Sequence, residues 1–111
     1  GIQVSLFIDP QKRQIDASRK IVEMIELHTG RYANAPLEKR TKFLDELAEI
    51  THYAKRLDLV VNAGHGLDYD NVIPVASIEG IEELNIGYSI ICQSVLTGLG
   101  NAVKRMKELI S

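Results

Sequence analysis

Along this 111-residue chain, apolar residues recurring at every second position give way to apolar residues recurring every three to four, and the change repeats four times. The alternation predicts an α/β fold of four consecutive β-α units, because strands separated by helical crossovers pair in parallel with right-handed connections. Two further observations predict curvature. Each strand segment has one apolar face and one mixed or polar face, whereas strands of a doubly wound sheet are covered on both sides and are apolar throughout. The unusual residue clusters also all fall where a strand hands over to a helix. An apolar outer face under helices and a polar inner face are what a barrel with a functional lumen needs. A complete eightfold barrel takes about 250 residues. Residues 1–111 are therefore expected to form one unit, half of a (β/α)8 TIM barrel.

Ile2 to Ile8 is the first expected strand, from the alternation of Ile2, Val4, Leu6 and Ile8 against Gln3, Ser5 and Phe7. A helix follows, with Asp9 as N-cap and Pro10 at its first position. Met24 to His28 is the second strand, with Ile25 and Leu27 on one side and Glu26 and His28 on the other. A long helix from about Leu37 to Leu57 repeats Phe43, Leu44, Leu47, Ile50, Thr51, Ala54 and Leu57 at helical spacing. Leu59 to Asn62 is the third strand, and a short helical segment interrupted by Pro74 spans Asn71 to Ile78. Glu82 to Gly87 is the fourth strand, separating Leu84 and Ile86 from Glu83 and Asn85. One last helix carries Val95, Leu96, Leu99, Ala102, Val103, Met106 and Leu109 on a single face. The chain opens with Gly1 and runs directly into strand-like sequence, as a processed or excised fragment does.

Composition narrows the function. With 45% apolar and 25% charged residues and only three prolines, the chain has the balance of a globular domain. A formal net charge of -2 leaves no electrostatic footprint for nucleic acid or an anionic membrane, so neither is an expected partner. No apolar run approaches the roughly 18 residues of a membrane span, and no signal-peptide pattern is present. The single cysteine, Cys92, excludes an internal disulfide and fits a reducing compartment, from which a cytoplasmic location is expected.

In barrels of this kind, chemistry sits at the C-terminal ends of the strands. Asp9, "ELHTG", "NAGHG" and "NIG" all lie there. In "VVNAGHGLDY", a buried run ends in a histidine between two glycines, so His65 projects from a loop. Imidazole changes charge near neutral pH and suits general acid-base work; a histidine in an exposed turn has the same local sequence. Glu26 lies inside a strand beside apolar residues. A buried carboxylate is costly unless paired or used, so catalysis and an ion pair both stay open, and His28 on the same face is placed to orient it. Gly66, Gly87 and Tyr88 suit phosphate binding through backbone N–H groups at a helix start, although glycines there also serve tight turns. Glu26, His28 and His65 have no metal-site spacing, so no metal is expected. Cys92, after Ile90 and Ile91 in a helix, reads as core rather than nucleophile. "EKR" and "KRMKE" read as solvated helix faces, and His52 as a surface or structural residue.

The stretches "GIQVSLFIDP", "IELHTGRYAN", "VNAGHGLDYDNV", "ELNIGYSII" and "SVLTGLGNAVKRMKELI" together resemble the C-terminal half of the pyridoxine 5'-phosphate synthase family, over essentially all 111 residues. The resemblance implies a (β/α)8 barrel that condenses 1-deoxy-D-xylulose 5-phosphate with 3-amino-2-oxopropyl phosphate, releasing phosphate and water. It assigns the proton-donor role to His65 and transition-state stabilisation to Glu26. It assigns binding of the aminooxopropyl phosphate to Gly66, Gly87 and Tyr88. It implies phosphorylated small-molecule substrates, a homo-oligomer and no cofactor. Joining an amine to a ketone and eliminating water needs repeated proton transfers, which a histidine supplies in both directions.

Three departures stand out. Tyr88 occupies the place of a histidine in the family's "NIGH" form. Asp58 replaces a glycine before the third strand, at a helix end that favours left-handed backbone. "KIVEM" is a short connection without its glycine. The family's first four strands, with a second catalytic histidine, a catalytic glutamate and phosphate-holding arginines, have no counterpart here, so the 111-residue chain alone is expected not to form product. The alternatives are a half-barrel module that holds phosphate or serves a structural role without catalysis, and another phosphate-binding barrel such as a sugar-phosphate isomerase.

Overall fold

Alternation along the strands becomes a two-faced sheet. The computed structural model describes all 111 residues, and its four strands are β1 (Ser5–Ile8), β2 (Met24–His28), β3 (Val60–Gly64) and β4 (Ile81–Asn85). They form one parallel sheet in the order β1-β2-β3-β4. Every neighbour in the sheet is a neighbour in sequence, as successive β-α units require. The register stacks Leu6, Ile25, Val61 and Ile81 in one row and Ile8, Leu27, Ala63 and Leu84 in another. Ile25, Leu27, Val61 and Ala63 are fully buried beneath the helices. Ile25, Leu27 and Val61 each contribute about 1.5–3 kcal/mol by this burial, so this face anchors the unit. The opposite face carries the row Phe7, Glu26, Asn62 and Glu83, and beyond it His28, Gly64 and Asn85. The predicted polar inner face is therefore present, on four parallel strands alternating with helices.

Several boundaries differ from the sequence expectation. β1 starts at Ser5 because its pairing begins at Ser5↔Met24, where β2 itself starts; Ile2 and Val4 lie outside the ladder and are exposed. The first helix, α1 (Lys12–Ser18), has Gln11 as its N-cap rather than Asp9, whose N–H instead donates to the Gln14 side-chain carbonyl at 2.9 Å. A five-residue helix, α2 (Gly30–Asn34), follows β2 directly and is too short to show a period in sequence. The long helix α3 (Leu37–Arg56) buries Leu47, Ile50, Thr51 and Ala54 as its spacing predicts. Its end is a Schellman turn: Leu59 N–H reaches Ala54 O at 3.2 Å, Asp58 N–H reaches Lys55 O at 3.0 Å, and Asp58 has φ 61°. Asp58 thus occupies the left-handed position its replacement of glycine implied.

β3 runs to Gly64, two residues past its expected end, because the glycine still pairs with His28 and Asn85. The short helix α4 is Val72–Ala76. A register shift between Val61 and Asn62 skips Glu82, so β4 begins at Ile81 and ends at Asn85.

The largest correction is at the C-terminal end. The expected single helix is two, α5 (Tyr88–Thr97) and α6 (Leu99–Ile110), broken at Gly98 with φ 83° and ψ 150°. That conformation cannot continue a helix. α6 buries Ala102 and Met106, while α5 buries nothing, and Val95, Leu96 and Leu99 are exposed. No helix is long and apolar enough to cross a membrane.

Candidate active site

The C-terminal strand ends open onto a cleft of about 950 Å³, lined by Phe7 and Glu26 from the sheet, the 65–68 loop, and the segment from Asn85 into α5. Glu26, His65, Gly66, Gly87 and Tyr88 all line this one cleft. The five residues that sequence reasoning drew from three separate strand ends are brought together.

Glu26 is half-buried, and its Oε1 accepts a hydrogen bond from Asn85 Nδ2 on β4. His28 does not orient it, contrary to the expectation: His28 Nδ1 accepts the Gly30 N–H at 3.0 Å instead. The reason is local. Immediately after β2 the chain turns into α2, which brings the Gly30 amide back onto the ring two residues earlier. Gly64 fills the gap between Glu26 and Asn85, since a Cβ there would lie 2.9 Å from Asn85 O and 3.2 Å from Glu26 Oε1. Only a glycine leaves room for that pair.

His65 is exposed on its loop with φ 92°, a conformation that costs a non-glycine residue on the order of 1–3 kcal/mol and persists only when the surroundings impose it. Gly66 follows with φ 75°. The loop is clamped from behind by Asn71, 2% exposed. Its Oδ1 accepts the Asp68 N–H at 2.8 Å and its Nδ2 donates to Gly66 O at 3.1 Å, while its carbonyl accepts the Tyr32 hydroxyl at 2.6 Å. Asp68 in turn accepts the N–H groups of Asp70 and Asn71. Burial pushes the Tyr32 phenol above its usual range; the Arg40 guanidinium opposes this and the Asp68 carboxylate adds to it. Asn71 and Asn85 were not singled out from sequence. The Asp-x-Asp-Asn run at 68–71 has the side-chain-to-backbone signature of an Asx turn, and strand alternation had placed Asn85 beside Glu83 on the inner face.

The first intrahelical bond of α5 runs from Ile91 N–H to Gly87 O. The N–H groups of Tyr88, Ser89 and Ile90 therefore have no intrahelical partner, and the positive end of the helix dipole sits at the cleft. The Ser89 hydroxyl donates to Leu67 O at 2.9 Å and ties this helix start to the His65 loop. The Tyr88 side chain is 87% exposed. Cys92 is exposed and lines the cleft, which corrects its expected core placement; α5 turns only Ile90 onto the core, and the cysteine borders the opening. Arg40 of "EKR" is half-buried rather than solvated, donating to Ala33 O at 3.4 Å. His52 is exposed. No group of three or more His, Cys, Asp or Glu side chains is arranged to hold a metal ion.

A family model described as "Pyridoxal phosphate biosynthesis protein PdxJ" matches residues 1–111. The chain belongs to this family. It is 54% identical over 111 residues to a pyridoxine 5'-phosphate synthase of Sulfurihydrogenibium sp. (strain YO3AOP1), covering 99% of the chain and 46% of that relative. The corresponding protein of Coxiella burnetii (strain RSA 493 / Nine Mile phase I) is 52% identical over 113 residues, with 100% and 47% covered. That of Synechococcus sp. (strain RCC307) is 50% identical over 112 residues, with 100% and 44% covered. The chain spans about half the length of the curated relatives it matches. Four parallel β-α units on a family member of this span are a partial (β/α)8 barrel.

Proposed function

We propose that residues 1–111 are the C-terminal half of a pyridoxine 5'-phosphate synthase, and that the complete barrel condenses 1-deoxy-D-xylulose 5-phosphate with 3-amino-2-oxopropyl phosphate. The observation that carries this reading is the convergence of Glu26, His65, Gly66 and the Gly87–Tyr88 helix start on one cleft. In the reading, the N–H groups at Gly66, Gly87 and Tyr88 hold the phosphate of the aminooxopropyl substrate, where a helix N-terminus favours an anion. The Tyr88 side chain takes no part, so a backbone contact accommodates the tyrosine found in place of histidine. His65 donates the proton that lets an oxygen leave as water. Glu26, held by Asn85, stabilises positive charge on the imine-like intermediate formed when the amine joins the ketone. The reaction is a condensation and elimination, so the reading needs no cofactor and no metal.

The reading also holds that this half alone is inactive. The sheet has two open edges, β1 and β4, and Ile2, Val95 and Leu96 are more than four-fifths exposed. Such edges and apolar surface call for a covering partner, and a second half-barrel contributed by the same polypeptide supplies it. Homo-oligomeric assembly and a cytoplasmic site of action belong to the same reading. The open edges also favour the alternative of a self-associating half-barrel that at most holds phosphate. The two separate in one assay. The complete barrel and the 111-residue chain are each supplied with both substrates, and pyridoxine 5'-phosphate is quantified. Product from the complete barrel only is expected. Enzyme-level product from the short chain, or none from the complete barrel, overturns the proposal.

A further inference from the structure

His65 lies just past the end of β3 on an exposed loop between two glycines, so its own segment does little to fix its ring. The turn after β2 does fix it. Thr29, 1% exposed, donates its hydroxyl to His65 O at 2.6 Å and its N–H to Gly64 O at 2.8 Å. These bonds seize the backbone on the residue that bears the positive φ and on the one before it. The ring is held by a second contact: the His28 and His65 centroids are 4.3 Å apart with planes tilted by 31°, and His28 also stacks on Phe7 at 5.0 Å. His28 is itself immobilised. Its Nδ1 accepts the Gly30 N–H, which leaves the proton of the neutral imidazole on Nε2. Gly30 closes the arrangement, because a Cβ there would lie 2.4 Å from His28 Cε1 and 3.1 Å from His65 Cδ2.

The geometry points to the His28-Thr29-Gly30 turn as the positioning device for His65, with Thr29 holding its backbone in the left-handed conformation and His28 setting the plane of its imidazole. The inference rests on the reading of His65 as the proton donor. Neither Thr29 nor His28 lines the cleft, so both act through His65 rather than on substrate. Proton transfer depends on the donor standing within hydrogen-bond reach of the receiving atom, and a ring on a glycine-flanked loop meets that condition only when something outside the loop supplies the constraint.

The test is a kinetic series in the complete barrel, with thermal stability measured beside it. Thr29→Val keeps the side-chain shape and removes the donor. It is expected to lower kcat on the order of 100-fold, the scale of an ångström-sized misplacement, with KM within about threefold of the parent. Thr29→Ser restores the hydroxyl and is expected to recover kcat to within about fivefold. A purely structural threonine lowers stability but leaves kcat of the folded fraction unchanged. Should Thr29→Val not fold, His28→Leu, which removes the stacked ring, is expected to show the same loss of kcat at near-constant KM. His65→Asn separates the two levels. If it abolishes turnover while Thr29→Val, or His28→Leu in its place, turns over like the parent, the positioning role is refuted and the proton-donor reading stands. If His65→Asn itself turns over normally, the reading beneath falls and takes this inference with it. Failure of Thr29→Ser to recover kcat also overturns the role given to the hydroxyl.

Discussion

Gly64→Ala probes the packing on which the site depends. Gly64 ends β3 and pairs with His28 on one side and Asn85 on the other. An added Cβ would stand 2.9 Å from Asn85 O, 3.1 Å from Asn85 Cβ and 3.2 Å from Glu26 Oε1. The nearest of these atoms is backbone in a strand ladder and cannot swing aside, so the end of β4 must move. Overpacking of this kind costs about 1–3 kcal/mol, while alanine recovers about 0.4–1 kcal/mol by restricting the unfolded chain. Taken from the middle of each range, the net loss is about 1–2 kcal/mol. An unfolding entropy near 2.1 cal/mol/K per residue gives roughly 0.23 kcal/mol/K for a chain of this length, hence a fall in Tm of about 4–9 °C. Thermal unfolding followed by circular dichroism measures it. Gly87→Ala is the matched control, because φ there is -129° and a Cβ meets nothing within 4 Å. Gly64→Ala as stable as the parent would refute the close approach of Glu26, Gly64 and Asn85.

Other outcomes follow from the loop and helix ends. Asp58→Gly, at the left-handed position closing α3, is expected to stabilise the chain by about 0.5–1 kcal/mol, seen as a raised midpoint in urea. Asn71→Ala removes both side-chain bonds that clamp the 64–71 loop, whose partners are only partly shielded from water; a loss of about 1–3 kcal/mol by urea denaturation is expected. Tyr32 gives a pH dependence. Its phenol is raised by burial, so below pH 10 both folded and unfolded chains hold the proton and stability is untouched. Above pH 10 the unfolded chain loses the proton first, and stability falls as pH rises toward the folded value. Tyr32→Phe is less stable throughout for want of the bond to Asn71 O, yet its stability falls less steeply between pH 10 and 11 in urea titrations.

Sequence made the sheet readable where the information is local. Ile25 and Leu27 alternate with Glu26 and His28, and the period of two sorts them to opposite faces whatever else the chain does. Asp58 was legible through the family resemblance instead, because it stands in place of a glycine at a helix end, where left-handed backbone is favoured. The break at Gly98 was not legible: apolar residues on either side keep helical spacing, and the period reads through a glycine that in fact reverses φ. Ile2 and Val4 alternate as well as any strand residues, but their pairing depends on where β2 begins, twenty residues away. The candidate site divides along the same line. Residue type and strand-end position pointed to Glu26, His65, Gly66, Gly87 and Tyr88. The Asn85 bond to Glu26 and the contact of His28 with His65 arise from register between strands, which no local pattern carries. Cys92 reads as core from its apolar neighbours, but α5 rests on α6 and turns only Ile90 onto the core, which leaves the cysteine at the cleft.

The most direct test is to titrate isotopically labelled chain with inorganic phosphate and follow backbone amides by NMR. The N–H groups of Gly66, Gly87 and Tyr88 are expected to move together and saturate with one binding constant, and the His65 ring is expected to respond in the same titration. Saturable shifts confined to another surface, or no response at these three amides while the chain is folded, contradict a phosphate cradle at the rim shared by Glu26 and His65.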